Sequence, residues 1–295
     1  MKVDHQPQLA FYTEPGKMTT AGRYAPLLED LASGFASLAT VAQGLLIHEH
    51  MAHGYGVKLS DGDRASVHIR PVEEMLEQIV AMDSRPLDVP RMPAGRLPGN
   101  CRQFTVLVTA MLRSQGTPAR ARCGFGNYFG TGSNEDHWVC EYWHSEQHRW
   151  ILGDAQIDDV QRGWFPLDFD VTDVPRDRFL IAGDAWAQYR SGTTDPARFG
   201  LSLLKEGGDW WIAGNLMRDA AALLNVELLP WDSWGAMPAP GEPIGEDLAA
   251  LFDRLAALTQ EPDKSHAELS LLYQDERLRV PPRVRNHLRN SEEAV

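Results

Sequence analysis

The feature that most constrains the fold is a change of hydrophobic period within residues 100–154. Between Asn100 and Gln115, apolar residues recur every three or four positions, which is typical of one face of a helix. Asn100 is a suitable N-cap for this helix and Gly116 a suitable C-cap. Three segments of β-favouring residues follow, separated by polar turns: 119–125, 137–143 and 149–154. One helix followed by an antiparallel run of strands predicts an α+β fold.

The chain before this stretch predicts helices separated by irregular segments. Residues 1–24 contain prolines and glycines and predict an irregular arm. Helical spacing then extends over residues 25–53, although two glycines favour an interruption. A second helix is predicted over residues 71–82, with a proline in its first turn. Residues 84–99 are rich in proline and predict an extended loop that leads into Cys101.

The chain after residue 154 gives weaker signals. Residues 168–178 predict a loop, and residues 277–295 form a charged tail that prolines interrupt. Helical spacing is found in three segments: 179–190, 212–224 and 246–260. The sequence contains no internal repeat and no clean linker.

These features predict a single domain over residues 1–295, and 295 residues can enclose a sizeable core. We expect its catalytic core over about residues 70–185. Residues 25–69 are expected to add a helical N-terminal segment, and residues 186–295 a C-terminal accessory segment. The content of 43% hydrophobic and 23% charged residues is ordinary for a globular protein.

The net charge limits the classes of binding partner that we expect, and the cysteine content indicates the cellular compartment. A net charge of -13 argues against nucleic acid as a partner and against adsorption to an anionic membrane. The first 15 residues contain no apolar stretch typical of a secretory signal. Three cysteines do not form a disulfide framework, so we expect a cytoplasmic protein in which Cys123 and Cys140 are buried thiols.

Three residues in the central stretch form a candidate catalytic set. Cys101 is predicted at the first turn of a helix, where unpaired N–H groups and the helix dipole favour the thiolate. His137 is predicted at the start of one strand and Asp154 at the end of the next. Because a short turn joins these strands, the two side chains are expected to be cross-strand neighbours. The carboxylate would then orient the imidazole, and the imidazole would activate the thiol.

Five other residues are candidates for contact with a substrate. They are Trp138, Arg120, Arg122, Trp210 and Trp211. We expect the two arginines to point outward from one strand face. There they could contact an acidic group of the substrate, or they could form part of a solvated or salt-bridged surface. The tryptophans supply contact area and N–H donors, although a core position for Trp138 and a structural role at a domain seam for Trp210 and Trp211 are the favoured alternatives.

A second cluster, His48, His50 and His53, has some likeness to a zinc-binding helix. Such a helix needs two histidines four residues apart, and the residue four positions after His48 is Ala52. We therefore expect no metal site and no cofactor, and interpret the cluster as a polar helix end. A metal enzyme that uses these histidines stays an alternative hypothesis.

The residues of the central stretch resemble the transglutaminase-like superfamily. The likeness is carried by Cys101, by Gly116-Thr117-Pro118-Ala119-Arg120, by His137-Trp138-Val139 and by Trp150 to Asp154. The resemblance implies a papain-like α+β fold, in which the nucleophile helix packs on an antiparallel sheet, here with helical N- and C-terminal additions. It also implies thiol-dependent acyl transfer.

The sequence departs from the family pattern at the second oxyanion donor. Animal transglutaminases use a tryptophan upstream of the nucleophile, but the first tryptophan of this chain is Trp138. Papain-like proteases use an upstream glutamine, and the nearest such residue, Gln78, lies in a predicted helix. The second donor is therefore unassigned by sequence.

The function predicted from these residues is acyl transfer at an amide or thioester carbonyl through a Cys101 acyl-enzyme. We expect hydrolysis of an amide bond in a small molecule or peptide. One alternative is an acyltransferase that forms an amide with an amine acceptor. Another, of a different class, is a non-catalytic binding protein on the same fold.

Overall fold

The computed structural model describes residues 6–295, and its chain divides into two compact units that are described separately. The first unit comprises the described residues up to Ala121, together with Val139–Trp164 and Asp168–Val174. The second comprises Arg122–Trp138, Phe165–Leu167 and Pro175–Val295. The predicted irregular arm begins outside the described residues. The single domain predicted over the whole chain stays a prediction.

The first unit combines six helices with short strands. Its helices are α1 Gln6–Thr13, α2 Ala25–Glu29, α3 Phe35–Leu45, α4 Val72–Met82, α5 Cys101–Ser114 and α6 Asp159–Arg162. Its strands are β1 Leu46–His48, β2 Leu97–Gly99 and β5 Arg149–Gly153, together with parts of β3 Ala119–Gly126 and β4 Asn134–His144. Strands β3 and β4 each continue into the second unit.

Helix α5 is the central element of the first unit. Every residue of α5 except the last is buried, and α1, α2, α3 and α4 all pack against it. Its apolar stripe lies in a core that also includes Leu38, Leu76 and Cys140. The hydroxyl Oγ1 of Thr109 lies 3.5 Å from Sγ of Cys140, which places α5 on strand β4. A helix packed on strands confirms the predicted α+β fold.

The end of α5 follows the sequence prediction. Gly116 adopts φ +74°, a left-handed conformation that glycine reaches without steric cost. Its N–H donates to the Arg113 carbonyl at 2.9 Å, and the Thr117 N–H donates to the Leu112 carbonyl at 2.9 Å. These two bonds are the Schellman arrangement, which satisfies the last carbonyls of a helix. The helix ends where the glycine predicted it.

The helical stretch predicted over residues 25–53 is interrupted at Gly34, one of the two glycines that favoured an interruption, and its extension beyond Leu45 is wrong. The chain leaves helical geometry after Glu29 and re-enters it beyond Gly34, whose φ is +92°. Helix α3 then ends at Leu45, and β1 pairs in parallel with β2, a partner about 50 residues away. The apolar spacing continues through β1, but the backbone groups bond to a distant strand, which periodicity does not reveal. Within the predicted N-terminal arm, the structure contains helix α1.

Strands β4 and β5 form the predicted hairpin. They pair antiparallel from Cys140 opposite Gly153 to His144 opposite Arg149. The polar turn between them includes His148, at φ +49°. The register places Cys140 of β4 opposite Gly153, the last residue of β5.

The second unit combines a sheet, a helical layer and a C-terminal hairpin. Its further strands are β6 Phe179–Ile181, β7 Phe199–Leu201, β8 Glu206–Gly207, β9 Asp232–Ser233, β10 Arg283–Asn286 and β11 Ser291–Ala294. Its helices are α7 Ala182–Arg190, α8 Asp209–Leu223, α9 Glu246–Gln260 and α10 Pro262–Leu272. The sheet order is β6-β3-β4-β7-β8, and β7 runs parallel to β4. Helices α7, α8 and α9 pack against one another.

Two segments of the second unit differ from the sequence prediction. The first three residues of the helix predicted over 179–190 form β6, which pairs antiparallel with β3. The tail over residues 277–295 contains the hairpin β10–β11, whose inner strand also pairs with β9. Within residues 6–295, no helix has both the length and the apolar character that a membrane crossing requires.

Candidate active site

Cys101 is the first residue of α5 and is buried in the first unit. The chain that enters the helix is held by parallel pairing, which puts Gly99 opposite His48. The Ser66 hydroxyl also donates to the Pro98 carbonyl at 2.6 Å. The thiol therefore follows a segment that backbone and side-chain hydrogen bonds fix on both sides.

The cap of α5 determines which N–H group next to the thiol is left available. The Arg102 N–H donates to Oδ1 of Asn100 at 3.0 Å, and the Gln103 N–H donates to the Asn100 carbonyl at 2.9 Å. The Asn100 N–H in turn donates to Oε1 of Gln103 at 3.0 Å, which completes a capping box. The first N–H of a helix has no acceptor within the helix. At α5 that group belongs to Cys101, so it can donate to an oxygen bound beside the sulfur.

Asp154 lies directly after β5, in the first unit, and is 1% exposed. Its N–H donates to the Val171 carbonyl at 2.8 Å, and its Oδ1 accepts from the Gln156 N–H at 2.9 Å. The Gln43 side chain holds the following turn through bonds to the carbonyls of Ala155 and Ile157. The carboxylate is thus held in one orientation by its own backbone.

A cavity of about 330 Å³ in the first unit is lined in part by Asp154. Charged and polar side chains share its wall, among them Gln43, Arg96, Asp158 and Thr172. Apolar residues complete the wall, among them Ala39, Ile157 and Val171, so the lining is mixed in character.

His137 lies on β4 in the second unit and is 2% exposed. Three aromatic rings surround its imidazole, with centroid distances of 4.9 Å to Phe129, 6.0 Å to Tyr128 and 6.3 Å to Phe179. Phe129 also packs edge-on against Phe165, and both rings are half-buried. The imidazole therefore has an aromatic wall that is partly open to solvent.

Asp136 precedes this histidine and lies in a polar cluster of the second unit. Its Oδ2 accepts from Nε1 of Trp211 at 2.7 Å. Its Oδ1 is buried and meets no hydrogen-bond partner of good geometry among residues 6–295, although the nearby Asn215 side chain also favours the charged carboxylate. Burial raises the pKa of the Asp136 carboxyl, and the nearby Arg218 and Trp211 oppose that rise without cancelling it. Trp211, predicted to contact substrate, thus anchors the strand that carries His137.

The prediction that Arg120 points outward is wrong. Arg120 is 2% exposed, and its Nε donates to Oε2 of Glu141 at 2.6 Å. The guanidinium also lies over the Trp150 ring at 3.9 Å and near the Tyr12 ring at 4.9 Å. A planar cation can bond a carboxylate at its edge and stack on aromatic faces, so it is satisfied inside the first unit.

Arg122 does not point outward either, because it is fully buried in the second unit. It bonds both carboxylate oxygens of Asp219, at 3.0 and 2.8 Å, and donates to the Thr259 carbonyl at 2.8 Å. Both arginines therefore form salt bridges, which was the alternative to a substrate contact. A substrate contact by Arg120 or Arg122 stays a prediction without support from their burial.

The remaining tryptophan candidates have neighbours within the second unit. Trp138 is 1% exposed, as expected for a core residue. Trp210 is half-buried, donates through Nε1 to the Gly207 carbonyl at 3.0 Å, and packs against Trp211 at 5.0 Å. Their predicted roles in substrate binding stay predictions.

The three cysteines are all buried thiols, as predicted for Cys123 and Cys140. Burial raises the pKa of Cys140 to about 12, so that thiol stays protonated at neutral pH. No group of three or more His, Cys, Asp or Glu side chains within residues 6–295 is arranged to hold a metal ion. His48 lies on β1 rather than on the predicted helix end, and its ring packs near that of His50 at 5.7 Å.

Sequence reasoning missed the aromatic wall beside His137. The available signal was the Tyr128-Phe129 pair directly after a strand, followed by a glycine-rich turn. Phe165 gave no comparable signal, because it joins the cluster only through tertiary structure. The structure assigns Cys101 and Asp154 to the first unit and His137 to the second.

Comparison with known proteins identifies the central stretch. Residues 82–169 match the family model of the transglutaminase-like superfamily. Among solved structures, a candidate cysteine protease from Cytophaga hutchinsonii aligns with a TM-score of 0.33 and 16% sequence identity. That alignment covers 63% of this chain and only half of the Cytophaga protein. A search of curated proteins finds no match. The family match therefore places a transglutaminase-like core within residues 82–169.

Proposed function

We propose that this protein is a thiol-dependent acyl-transfer enzyme that hydrolyses an amide bond in a small molecule or peptide through an acyl-enzyme on Cys101. The observation that carries the proposal is the start of α5. Cys101 is its first residue, and the capping box occupies the next two N–H groups but not that of Cys101. A nucleophile and an oxyanion donor then belong to one residue, within the family-matched core.

His137 is proposed as the base and Asp154 as the residue that orients it. The hairpin register supports this choice, because Gly153 pairs with Cys140 and Asp154 follows directly. His137 precedes Cys140 by three positions on the continuous strand β4. Directly opposite and diagonal residues on one face of an antiparallel pair lie roughly 4.5–8 Å apart. The proposal requires the Asp154 carboxylate to accept a hydrogen bond from an imidazole N–H of His137.

The proposed reaction proceeds in two balanced steps. The imidazole takes the thiol proton, sulfur attacks the carbonyl carbon, and the carbonyl π electrons move to oxygen. This attack gives a tetrahedral intermediate. Its collapse breaks the C–N bond, and the departing amine takes the proton from the imidazolium. Water then attacks the thioester with the imidazole as base, which releases the acid and restores the thiol.

Two alternatives use the same chain differently. An amine in place of water would make the protein an amide-forming acyltransferase, and the choice depends on whether water is excluded from the acyl-enzyme. A binding protein on this fold would need neither base nor nucleophile. A cytoplasmic location stays a prediction from the cysteine content. The absence of nucleic-acid and membrane partners stays a prediction from the net charge.

The first test is selective alkylation of the thiols. We expect iodoacetamide at neutral pH to label Cys101 first, because Cys123 and Cys140 are fully buried and the pKa of Cys140 is about 12. Peptide mass spectrometry of the folded protein assigns the label. Labelling of Cys123 or Cys140 ahead of Cys101 would remove the basis for the nucleophile.

The second test is loss of turnover in Cys101→Ala. Profiling against a mixed amide, peptide and thioester library, with and without added amines, first identifies a substrate and its acceptor. Removal of a catalytic nucleophile is then expected to reduce kcat by about 10⁴-fold or more. Cys123→Ala serves as the matched control and is expected to keep its activity. Retained turnover in Cys101→Ala would rule out Cys101 as the nucleophile, whereas the absence of any turnover by wild-type protein would favour the binding-protein alternative.

A further inference from the structure

The Asn100 side chain has one end that is satisfied and one that is not. Its Oδ1 accepts from the Arg102 N–H, and this bond fixes which end of the carboxamide is oxygen, because a backbone N–H requires an acceptor. The other end, Nδ2, is buried and has no hydrogen-bond partner among residues 6–295. The residue is only 5% exposed. A buried amide donor without an acceptor is destabilising, because it has lost its hydrogen bonds to water and gained none in the protein.

The position of this unsatisfied donor is informative. Asn100 directly precedes Cys101, and its cap bond holds the carboxamide against the first turn of α5. The Cys101 N–H is the first-turn group that the cap leaves available. Two donors, one from the backbone and one from an amide side chain, thus belong to consecutive residues at the positive end of the 14-residue helix that begins with the thiol.

We infer that Nδ2 of Asn100 is the second oxyanion donor for the carbonyl group that Cys101 attacks. This inference rests on the proposed function. It fills the position of the second oxyanion donor, which the sequence left unassigned. The chain has no tryptophan upstream of Cys101, and Gln78, the nearest upstream glutamine, lies on α4 and is exposed. The occupant of the site is a carbonyl oxygen that gains negative charge as the C–S bond forms.

The same cap explains how one residue serves both purposes. An asparagine at the N-cap offers an acceptor to the helix and retains a donor on the other side of its planar group. Serine and aspartate also cap helices well, but neither places an amide N–H at that position. The choice of residue at position 100 can therefore be separated experimentally from helix stability.

The test compares two reactions of the same thiol in wild-type protein and in Asn100→Ser. p-Nitrophenyl acetate acetylates sulfur through a tetrahedral oxyanion and releases p-nitrophenolate. Iodoacetamide alkylates sulfur by direct displacement of iodide, which develops no oxyanion. First-turnover nitrophenolate release is followed by absorbance and alkylation by mass spectrometry, with Cys101→Ala as the background for both.

We expect Asn100→Ser to slow acetylation by about 10²–10³-fold, which is typical for loss of one oxyanion donor. Its alkylation rate should stay within about threefold of wild type, because a serine cap preserves the helix start. Asn100→Asp provides a second variant that also keeps the cap, and it should lose acetylation more than alkylation. Circular dichroism checks that both variants are folded.

Two results would overturn the assignment while leaving the nucleophile in place. One is acetylation at the wild-type rate in Asn100→Ser. The other is an equal loss in the rates of acetylation and alkylation, which would mean that Asn100 affects the reactivity of the thiol and not the oxyanion. If wild-type protein releases no more nitrophenolate than Cys101→Ala, the proposed function fails, and this inference fails with it.

Discussion

Asp136 has an unfavourable position for a charged side chain. Its Oδ1 is buried and meets no hydrogen-bond partner of good geometry in the described part of the chain, whereas Oδ2 has the Trp211 N–H. Burial penalises the charged form, and Arg218 and Trp211 offset only part of that penalty, so the pKa of Asp136 is raised. The folded state therefore prefers this carboxyl protonated.

This preference predicts a pH-dependent effect of Asp136→Asn. A raised pKa in the folded state contributes stability below the usual value of 3.8, and that stability is lost as pH rises through the folded pKa. Asparagine carries no charge and still offers an oxygen to Trp211. We expect Asp136→Asn to be more stable than wild type at neutral pH, with the advantage shrinking on acidification. Urea denaturation at several pH values measures the free energy of unfolding.

Asp83 supplies a control of opposite sign. Hydrogen bonds from Arg85 lower its pKa to about 2, so its contribution is present above the usual value and lost as pH falls. Asp83→Asn should therefore be less stable than wild type at neutral pH, and the deficit should shrink on acidification. If both variants shift in the same direction, the assignment of the Asp136 environment is wrong.

At the scale of elements, Asp219 on α8 joins three parts of the second unit. It accepts two bonds from the Arg122 guanidinium and one from the Cys123 N–H, both on β3. Arg122 also donates to Thr259 on α9. Both members of the ion pair are fully buried. Pairing and full hydrogen bonding are what permit a charge in such a position.

Asp219→Ala should destabilise the protein by about 3–5 kcal/mol, because it leaves a buried guanidinium without its counter-ion. The matched control is Glu268→Ala, which breaks the half-exposed pair with Arg254 and should cost no more than about 1 kcal/mol. Guanidinium chloride denaturation measures both. Similar losses in the two variants would contradict the importance of burial for this pair.

At the scale of the whole molecule, neither unit is a continuous piece of chain. The first unit includes Val139–Trp164, which follows the first segment of the second unit in the chain. Strands β3 and β4 each have residues in both units. Within the second unit, α9 packs on α7, α8 and α10. It also supplies Asp253, which accepts from Nε1 of the buried Trp186 at 2.7 Å. The C-terminal residues are thus part of a core.

Truncation after Gly245 should therefore prevent the second unit from folding, because it removes α9 and exposes the faces of α7 and α8 that pack on it. Truncation after Pro281 removes only the hairpin β10–β11 and is expected to cost less. Limited proteolysis and thermal unfolding of the two fragments measure the difference. A fragment ending at Gly245 that resists proteolysis as the full chain does would contradict this view.

Local sequence was a good guide wherever local interactions form the structure. The start and end of α5 follow from Asn100 and Gly116, because the cap bonds join residues only a few positions apart. The hairpin β4–β5 and helix α9 were also predicted close to their observed bounds. Strands β1 and β6 were predicted as helix because their partners are distant in sequence, and apolar spacing alone does not distinguish a short buried strand from a helix.

The α+β class, the transglutaminase-like core and the position of Cys101 at a helix start follow from the sequence alone, since each depends on neighbouring residues or on a family pattern. The burial of Arg120 and Arg122 follows only from the tertiary structure, because their partners Glu141 and Asp219 are 21 and 97 residues away. The same is true of the Asn100 amide, whose Nδ2 is buried and has no hydrogen-bond partner in the described part of the chain. Burial is a sum of contacts from the whole fold, and no local pattern contains it.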